Sequence, residues 1–425
     1  MQSSEPSTTV SLDKIPPLEE LAAQWRELES RARPSFFLTW SWIGNWLASL
    51  GEHVERGWVL SARQEGRLVG LAVIFDAPIR RRLLPLGRAA YLNETGLTAF
   101  DAQSIEYNGL LLDAHCAPAV QRAMLERLCA DGSCWREVHL RNADASRPEL
   151  APANSAKAFR RGELHDCWLV DLHKVRERGG DFVGLLGSGR RAHIRRCLRA
   201  YAQLGPLQLT VAHDVPTALE FFDRMMVLHD SRFAEIGRQS NFSNSFGRLF
   251  HNRLVTDAHP RGEVQMLRIA AGGNELGYLY SFVHHGRICF YQSGFDYRLL
   301  DKRFSPGLVT LVLAIEHNAA QGMRWFDFLA GEQNYKSTLA TDHSAMISWS
   351  LQRRSILAAT ETVLRWKVRL VRRSAAKLRV WIEGKKILSF AGAMFIGALS
   401  AFVPETVFAE SCEPTIVLTT RARPI

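Results

Sequence analysis

Three stretches of strand character follow one another with no helical run between them, at residues 264–270, 276–284 and 287–294. Ser305-Pro306-Gly307 then opens a helical run over 308–321, and 324–329 returns to strand pattern. Apolar and aromatic residues bounded by short polar turns read as paired strands. Pro at a first helical position, with Gly beside it, reads as a helix start. A hairpin, a loop, a helix and a returning strand place this chain in the α/β class, a sheet with helices packed on it.

The earlier part of the chain has the same grammar. Residues 1–17 are polar, end in Pro16-Pro17 and read as a loose arm. Leu18, Leu21, Trp25 and Leu28 fall at helical spacing, and Trp42, Trp46 and Leu50 share a second helical face that Thr39 or Ser41 caps. Strands at 58–62 and 68–74 flank the turn Gln64-Glu65-Gly66, and a helix at 117–130 leads to a strand at 137–140. The Pro/Ala/Ser-rich stretch 146–157 reads as a linker. Beyond it come a strand at 168–172, a basic helix at 192–204 opened by Gly187-Ser188-Gly189, a strand at 207–211, and helices at 218–236 and 246–256. Both parts read helix, hairpin, helix, strand, which points to an internal duplication of halves spanning 18–150 and 158–352.

The chain has 425 residues, 47% hydrophobic and 23% charged, a globular balance that excludes a disordered chain, a collagen-like fibre and a polytopic membrane protein. Its net charge is +10, but residues 353–386 carry +9 of it and 387–425 carry −1, so the body holds only +2. Nucleic acid is therefore not the expected partner. Along 353–386, Leu357, Leu364, Val368, Val371, Ala375, Leu378 and Ile382 form one stripe on a basic amphipathic helix, followed by the uncharged run 387–403 and a polar tail, 404–425. That pattern suits attachment to an anionic leaflet, with the body on the cytoplasmic face. The seven cysteines are scattered without finger spacing, so neither a disulfide framework nor a zinc site is expected, and a reducing cytoplasm fits.

Several residues are candidates for a site. Ser305-Pro306-Gly307 before a helix suits an anion, because free N–H groups there meet the helix dipole. Arg190, Arg191, Arg195, Arg196 and Arg199 after a Gly-Ser-Gly entry form a cationic face fit for an anionic acceptor or a phosphate, or simply a solvated helix face. Tyr291, Gln292 and Asp296 cluster at the end of a hairpin strand, the last two suited to hydrogen-bonding an acceptor. No Walker loop, His-Glu-x-x-His motif or Gly-x-Ser-x-Gly elbow occurs.

The ordered pieces Gly277–Phe282, Tyr291–Asp296, Arg303–Gly307 and Phe326–Lys336 resemble the GNAT acyltransferase superfamily. They look most like its cellulose- or exopolysaccharide-biosynthesis (CelD-like) branch, related to the Fem peptidyltransferases. The segment 36–46 and the basic helix are similar to that branch as well, and the likeness runs over roughly 20–350. It implies tandem GNAT-like halves, each a mixed, mostly antiparallel sheet flanked by helices. It also implies an acetyl-CoA or other acyl-CoA donor, a small-molecule or saccharide-linked acceptor, and no metal. The donor's pyrophosphate would sit on Arg303, Phe304, Ser305, Pro306, Gly307 and Leu308, with the Gly307 and Leu308 N–H groups as donors. Direct attack of an amine or hydroxyl on a thioester needs a base and an acid. Asp327 is a candidate base, or else a buried carboxylate paired with an arginine. Glu332 is the alternative base, and Tyr335 and Lys336 are candidates for the acid and a phosphate or carboxylate contact. Two other functions fit the resemblance: an aminoacyl-tRNA-dependent, Fem-like transferase, and a non-catalytic membrane-associated component of a polysaccharide synthase.

Overall fold

The structure is a computed structural model that describes residues 7–353, apart from 82–83, 104, 116–117, 131–133, 147–157, 238–239, 241, 243 and 332–333. The basic helix and apolar run expected over 353–403, and the tail, lie outside the described residues beyond Arg353. So do Glu332 and most of the linker expected at 146–157.

The first half runs β1 (Thr8–Lys14), α1 (Leu18–Glu29), α2 (Trp40–Ser49), β2 (Trp58–Gln64), β3 (Arg67–Arg81), β4 (Leu84–Leu92), α3 (Thr98–Asp101), β5 (Leu111–Leu112), α4 (Pro118–Leu128), β6 (Trp135–Asp144) and β7 (Ala158–Asp171). The second runs α5 (Leu172–Glu177), α6 (Ser188–Ala202), β8 (Leu207–Val211), α7 (Val215–Glu235), α8 (Ser245–Ala258), β9 (Val264–Ala271), β10 (Asn274–His284), β11 (Arg287–Phe295), α9 (Pro306–Ala320), β12 (Trp325–Ala330), α10 (Asn334–Leu339) and β13 (Asp342–Arg353).

All strands join one sheet, in the order β1-β2-β3-β4-β6-β13-β7-β12-β11-β10-β9-β8, with β5 on the side of β3. The duplication is plain in this order. In each half an edge strand and two helices precede a three-stranded antiparallel meander. A crossover helix, α4 or α9, then returns the chain to a parallel strand, so β4 pairs with β6 and β11 with β12. The final strands are exchanged. β13, which closes the second half, lies against β6 of the first, while β7, which closes the first, lies against β12 of the second. β7 and β13 pair with each other from Asp342↔Leu169 to Arg353↔Ala158. The sheet is therefore built from two repeats of one mixed α/β unit, the first taking in β1 and β7.

Residues 1–17 are not all a loose arm. Thr8–Lys14 is an edge strand on β2, with Val10 and Leu12 packed on the core beneath α4. Only two alternating apolar residues announce it, too few to read as a strand.

α1, α2, α7 and α8 bury one face of the sheet over a core shared by both halves. Phe36 of the first half stacks on Phe282 of the second with ring centroids 4.3 Å apart. Asn45 also donates to Asp257 across the halves at 2.9 Å. The other face carries α4 over the first half and α5, α6 and α9 over the second. Gly294 lets α7 lie directly on β11: a Cβ there would stand 2.2 Å from the Met225 carbonyl oxygen. Gly294→Ala is expected to cost ~1–3 kcal/mol by forcing backbones apart, read as a lowered urea midpoint with an unchanged slope.

Candidate functional site

β11 and β12 pair over three residues only, Arg287 to Cys289 with Trp325 to Asp327, and then diverge into a wedge. The cause lies in β12. Leu329 adopts a left-handed φ of 59°, Gly331 follows at 138°, and the register on β7 slips between Asp327 and Ala330. A left-handed leucine is strained by roughly 1–3 kcal/mol. Asp327 supports it, since its Oδ1 accepts the Leu329 N–H at 2.8 Å.

At the C-terminal end of β11, the segment 296–305 leads into α9. Ser305 caps α9, its Oγ accepting the Leu308 N–H at 3.4 Å, and Pro306 fills the first turn, where no N–H is needed. Gly307 sits under the Phe295 ring, only 2.9 Å from where a Cβ would be. The Tyr201 hydroxyl, from α6, holds the Phe304 carbonyl at 3.2 Å. Arg303 is exposed and paired with Asp301 at 3.0 Å.

A polar seam crosses the sheet where the halves meet. Asp327 is fully buried. Its Oδ2 accepts from Arg287 Nη1 at 2.7 Å and from the Tyr107 hydroxyl at 2.7 Å. Burial works against the Arg287 charge, but Asp327 and Tyr107 more than offset it and hold the guanidinium protonated. The arginine-paired alternative for Asp327 is thus the arrangement present. Beside this pair, Glu106 Oε2 accepts the Ala330 N–H at 2.9 Å, and Lys336 Nζ donates to the Ala330 carbonyl at 2.6 Å. Burial pushes the Glu106 carboxyl up to about 7; Asp327 adds to the rise, while the Ala330 N–H and Lys336 oppose it. Burial likewise pulls the Lys336 ammonium down from its usual range, against the pull of Glu106 and Asp327. A carboxylate near 7 beside a buried ammonium can exchange a proton at neutral pH.

Glu106 and Tyr107 come from the first half, and the reason is local. The corresponding wedge between β4 and β6 is filled by the chain's own amides. Asn93 accepts the Val73 N–H and donates to Asn108, while Asn108 donates to the Leu92 carbonyl and bridges to Ala143. Threading Asn108 into that wedge leaves the two residues before it at the seam. Glu106, Tyr107 and Arg287 were not expected as site residues. The only sequence signal is an acid and an aromatic beside Asn-Gly in a connector.

The other expected residues separate. Tyr335 packs edge-on against Phe328 at the wedge, ring centroids 6.1 Å apart, and burial raises its phenol. Tyr291 inserts among Phe37, Trp42, Phe242 and Phe282, and burial followed by Glu106 raises its phenol too. Gln292 folds back on the Ser293 N–H at 3.0 Å. Asp296 is held by Arg298 at 2.8 and 2.9 Å, and that bond keeps its carboxyl below the usual range. Arg190 and Arg191 lie at the opposite end of α6 from Tyr201, about 15 Å along the helix axis. Arg191 donates to the Leu186 carbonyl at 2.9 Å. They are not brought to the loop before α9.

A cleft of about 890 Å³ opens at the other end of β11 and β12, between residues 32–36 and 107–115 of the first half and His284, His285, Arg287, Arg324 and Trp325 of the second.

No curated protein sequence matches this chain. Among solved structures it is similar to L-PGS from Bacillus licheniformis (13% identity, 83% of this chain and 97% of that one, TM-score 0.48). It is similar also to FemX (9% identity, 80% and 96%, TM-score 0.48). A third is a tandem GNAT protein from the clavulanic acid biosynthesis pathway (12% identity, 81% and 98%, TM-score 0.40). Residues 188–337, which include the wedge, the loop before α9, Asp327 and Lys336, match the acetyltransferase (GNAT) domain family.

Proposed function

We propose that this protein is a GNAT-type acyltransferase that moves an acyl group from an acyl-CoA, acetyl-CoA being the simplest, to an amine or hydroxyl. The observation that carries this reading is the wedge between β11 and β12, with the Ser305-capped start of α9 at its mouth, inside the matching segment. The donor's pyrophosphate would meet the first turn of α9, and its thioester arm would enter the wedge. Glu106 takes the proton of the attacking amine or hydroxyl, and Lys336 stabilises the ionised Glu106 that does so. The nucleophile bonds to the thioester carbonyl carbon, the C–S bond breaks, and the leaving thiolate takes a proton from the Tyr335 hydroxyl. An exopolysaccharide-linked acceptor and a membrane-facing tail are further parts of the proposal. They rest on the resemblance and on the sequence of 353–403.

Thermal shift with acetyl- and longer acyl-CoAs, together with thiol release in the presence of amine and hydroxyl acceptors, tests the reading. Stabilisation and thiol release are expected. Gly307→Glu, which sets a carboxylate where the pyrophosphate would bind, is expected to weaken CoA binding at least tenfold. Tyr335→Phe is expected to keep CoA binding and lower kcat by roughly 10- to 100-fold. Failure of every acyl-CoA to bind or react would overturn the donor, and transfer from an aminoacyl-tRNA in the same assay would replace it.

A further inference from the structure

Past Cys289 and Asp327, β11 has an open edge on the side where β12 has left it. The register on β10 decides which backbone groups stand on that edge. The Asp296 N–H donates to the Leu276 carbonyl at 3.0 Å, so these two form a hydrogen-bonded pair. Bonded and non-bonded pairs alternate along an antiparallel ladder. Tyr278↔Gly294 is therefore bonded, whereas Gly277↔Phe295 and Leu279↔Ser293 are not. Ser293 thus turns both its N–H and its carbonyl away from β10 and into the wedge. It lies two residues, or roughly 7 Å, from Phe295, whose ring covers Gly307 in the first turn of α9.

Backbone groups inside a fold need partners, and two side chains supply them here. Nδ1 of His229, from α7, donates to the Ser293 carbonyl at 3.0 Å. That ring is buried against Phe233 and Phe242, ring centroids 4.4 and 5.9 Å away. Gln292 Oε1 accepts the Ser293 N–H, also at 3.0 Å. The two caps are unequal. A carbonyl keeps a second lone pair, so His229 leaves room there for another donor. An N–H has a single hydrogen, and Gln292 takes it. Gln292 is half-buried and hangs by this bond, since its amide nitrogen has no partner among the described residues.

We infer that Gln292 is a placeholder for the donor: its carboxamide holds the Ser293 N–H until an amide carbonyl of the thioester arm displaces it. The inference rests on the acyl-CoA reading above. The arm of an acyl-CoA carries amides of the same chemistry as the Gln292 side chain. Ser293 presents a donor and an acceptor on one open edge, which an extended amide chain matches as an added strand would. Gln292 therefore competes with the donor instead of hydrogen-bonding the acceptor.

Calorimetric titration of the full chain with CoA, and with ADP, which lacks the arm, tests it. Gln292→Val removes the carboxamide and suits a strand. It is expected to bind CoA roughly three- to tenfold more tightly than wild type, the contribution of one intramolecular hydrogen bond that no longer has to be displaced. Gln292→Ala is expected to do the same, and ADP binding is expected to stay unchanged in both. An unaltered melting temperature would show that each variant folds. Equal CoA affinity in wild type and both variants, or a gain that ADP shares, would overturn the inference and leave the donor assignment standing. Failure of CoA to bind any of the three proteins would overturn the donor assignment and the inference with it.

Discussion

Glu106→Gln is expected to lower kcat by roughly 10²- to 10⁴-fold while leaving the protein folded and able to bind donor. The amide keeps an oxygen for the Ala330 N–H, so the seam retains its geometry and loses only its proton acceptor. The pH profile separates this from a structural effect. With the carboxyl near 7, wild-type kcat/KM rises with pH through an apparent pKa close to 7, and the glutamine variant lacks that limb. Stability moves the opposite way. In the unfolded chain Glu106 ionises near 4.5, and in the folded protein near 7. Between these values the unfolded state loses its proton first, so stability falls as pH rises, and above about 7 the loss is complete. On the order of 3 kcal/mol is involved. The glutamine variant does not pay it and should gain on wild type in denaturant melts between pH 4.5 and 7. An activity loss without the change in pH profile would remove Glu106 as the base.

Asp327→Ala is expected to cost ~3–5 kcal/mol, among the largest effects any single substitution here can have. It leaves the Arg287 charge without a partner, removes the acceptor of the Tyr107 hydroxyl, and withdraws the bond that holds Leu329 left-handed. Asp327→Asn keeps an acceptor for Leu329 and should lose less. The double replacement Asp327→Leu with Arg287→Met removes both charges and should recover much of the stability. Guanidinium unfolding curves of the three variants decide between the two readings of Asp327. Full stability in Asp327→Ala with lost turnover would make it a catalytic residue rather than a structural pair.

Local pattern was enough to find the β9–β11 meander, α9 and β12, because their alternation, their turns and the Ser-Pro-Gly helix start each specify structure within a few residues. The repeat of that grammar in the first half was legible for the same reason. β13 was not. It sits in the middle of the sheet between β6 and β7, and its place is set by pairing with strands some two hundred residues away. The seam shows the same limit. Asp327 stands out in the sequence as an acid among aromatics, yet its partners are 40 and 220 residues distant. Glu106 lies in a connector with no period to mark it, and its raised pKa arises only from burial against Ala330, Lys336 and Asp327.

The exchange of β7 and β13 also governs when this protein can fold during synthesis. β6 and β7 are made early, but the strand that separates them is among the last described residues to leave the ribosome. Until it arrives, both carry open backbone edges that invite pairing with any neighbouring nascent chain. The first half therefore cannot mature ahead of the second, and a chain interrupted before Asp342 leaves two unfinished sheets rather than one finished domain. Chaperone demand, and the yield of truncated or split versions, should follow from that single late strand.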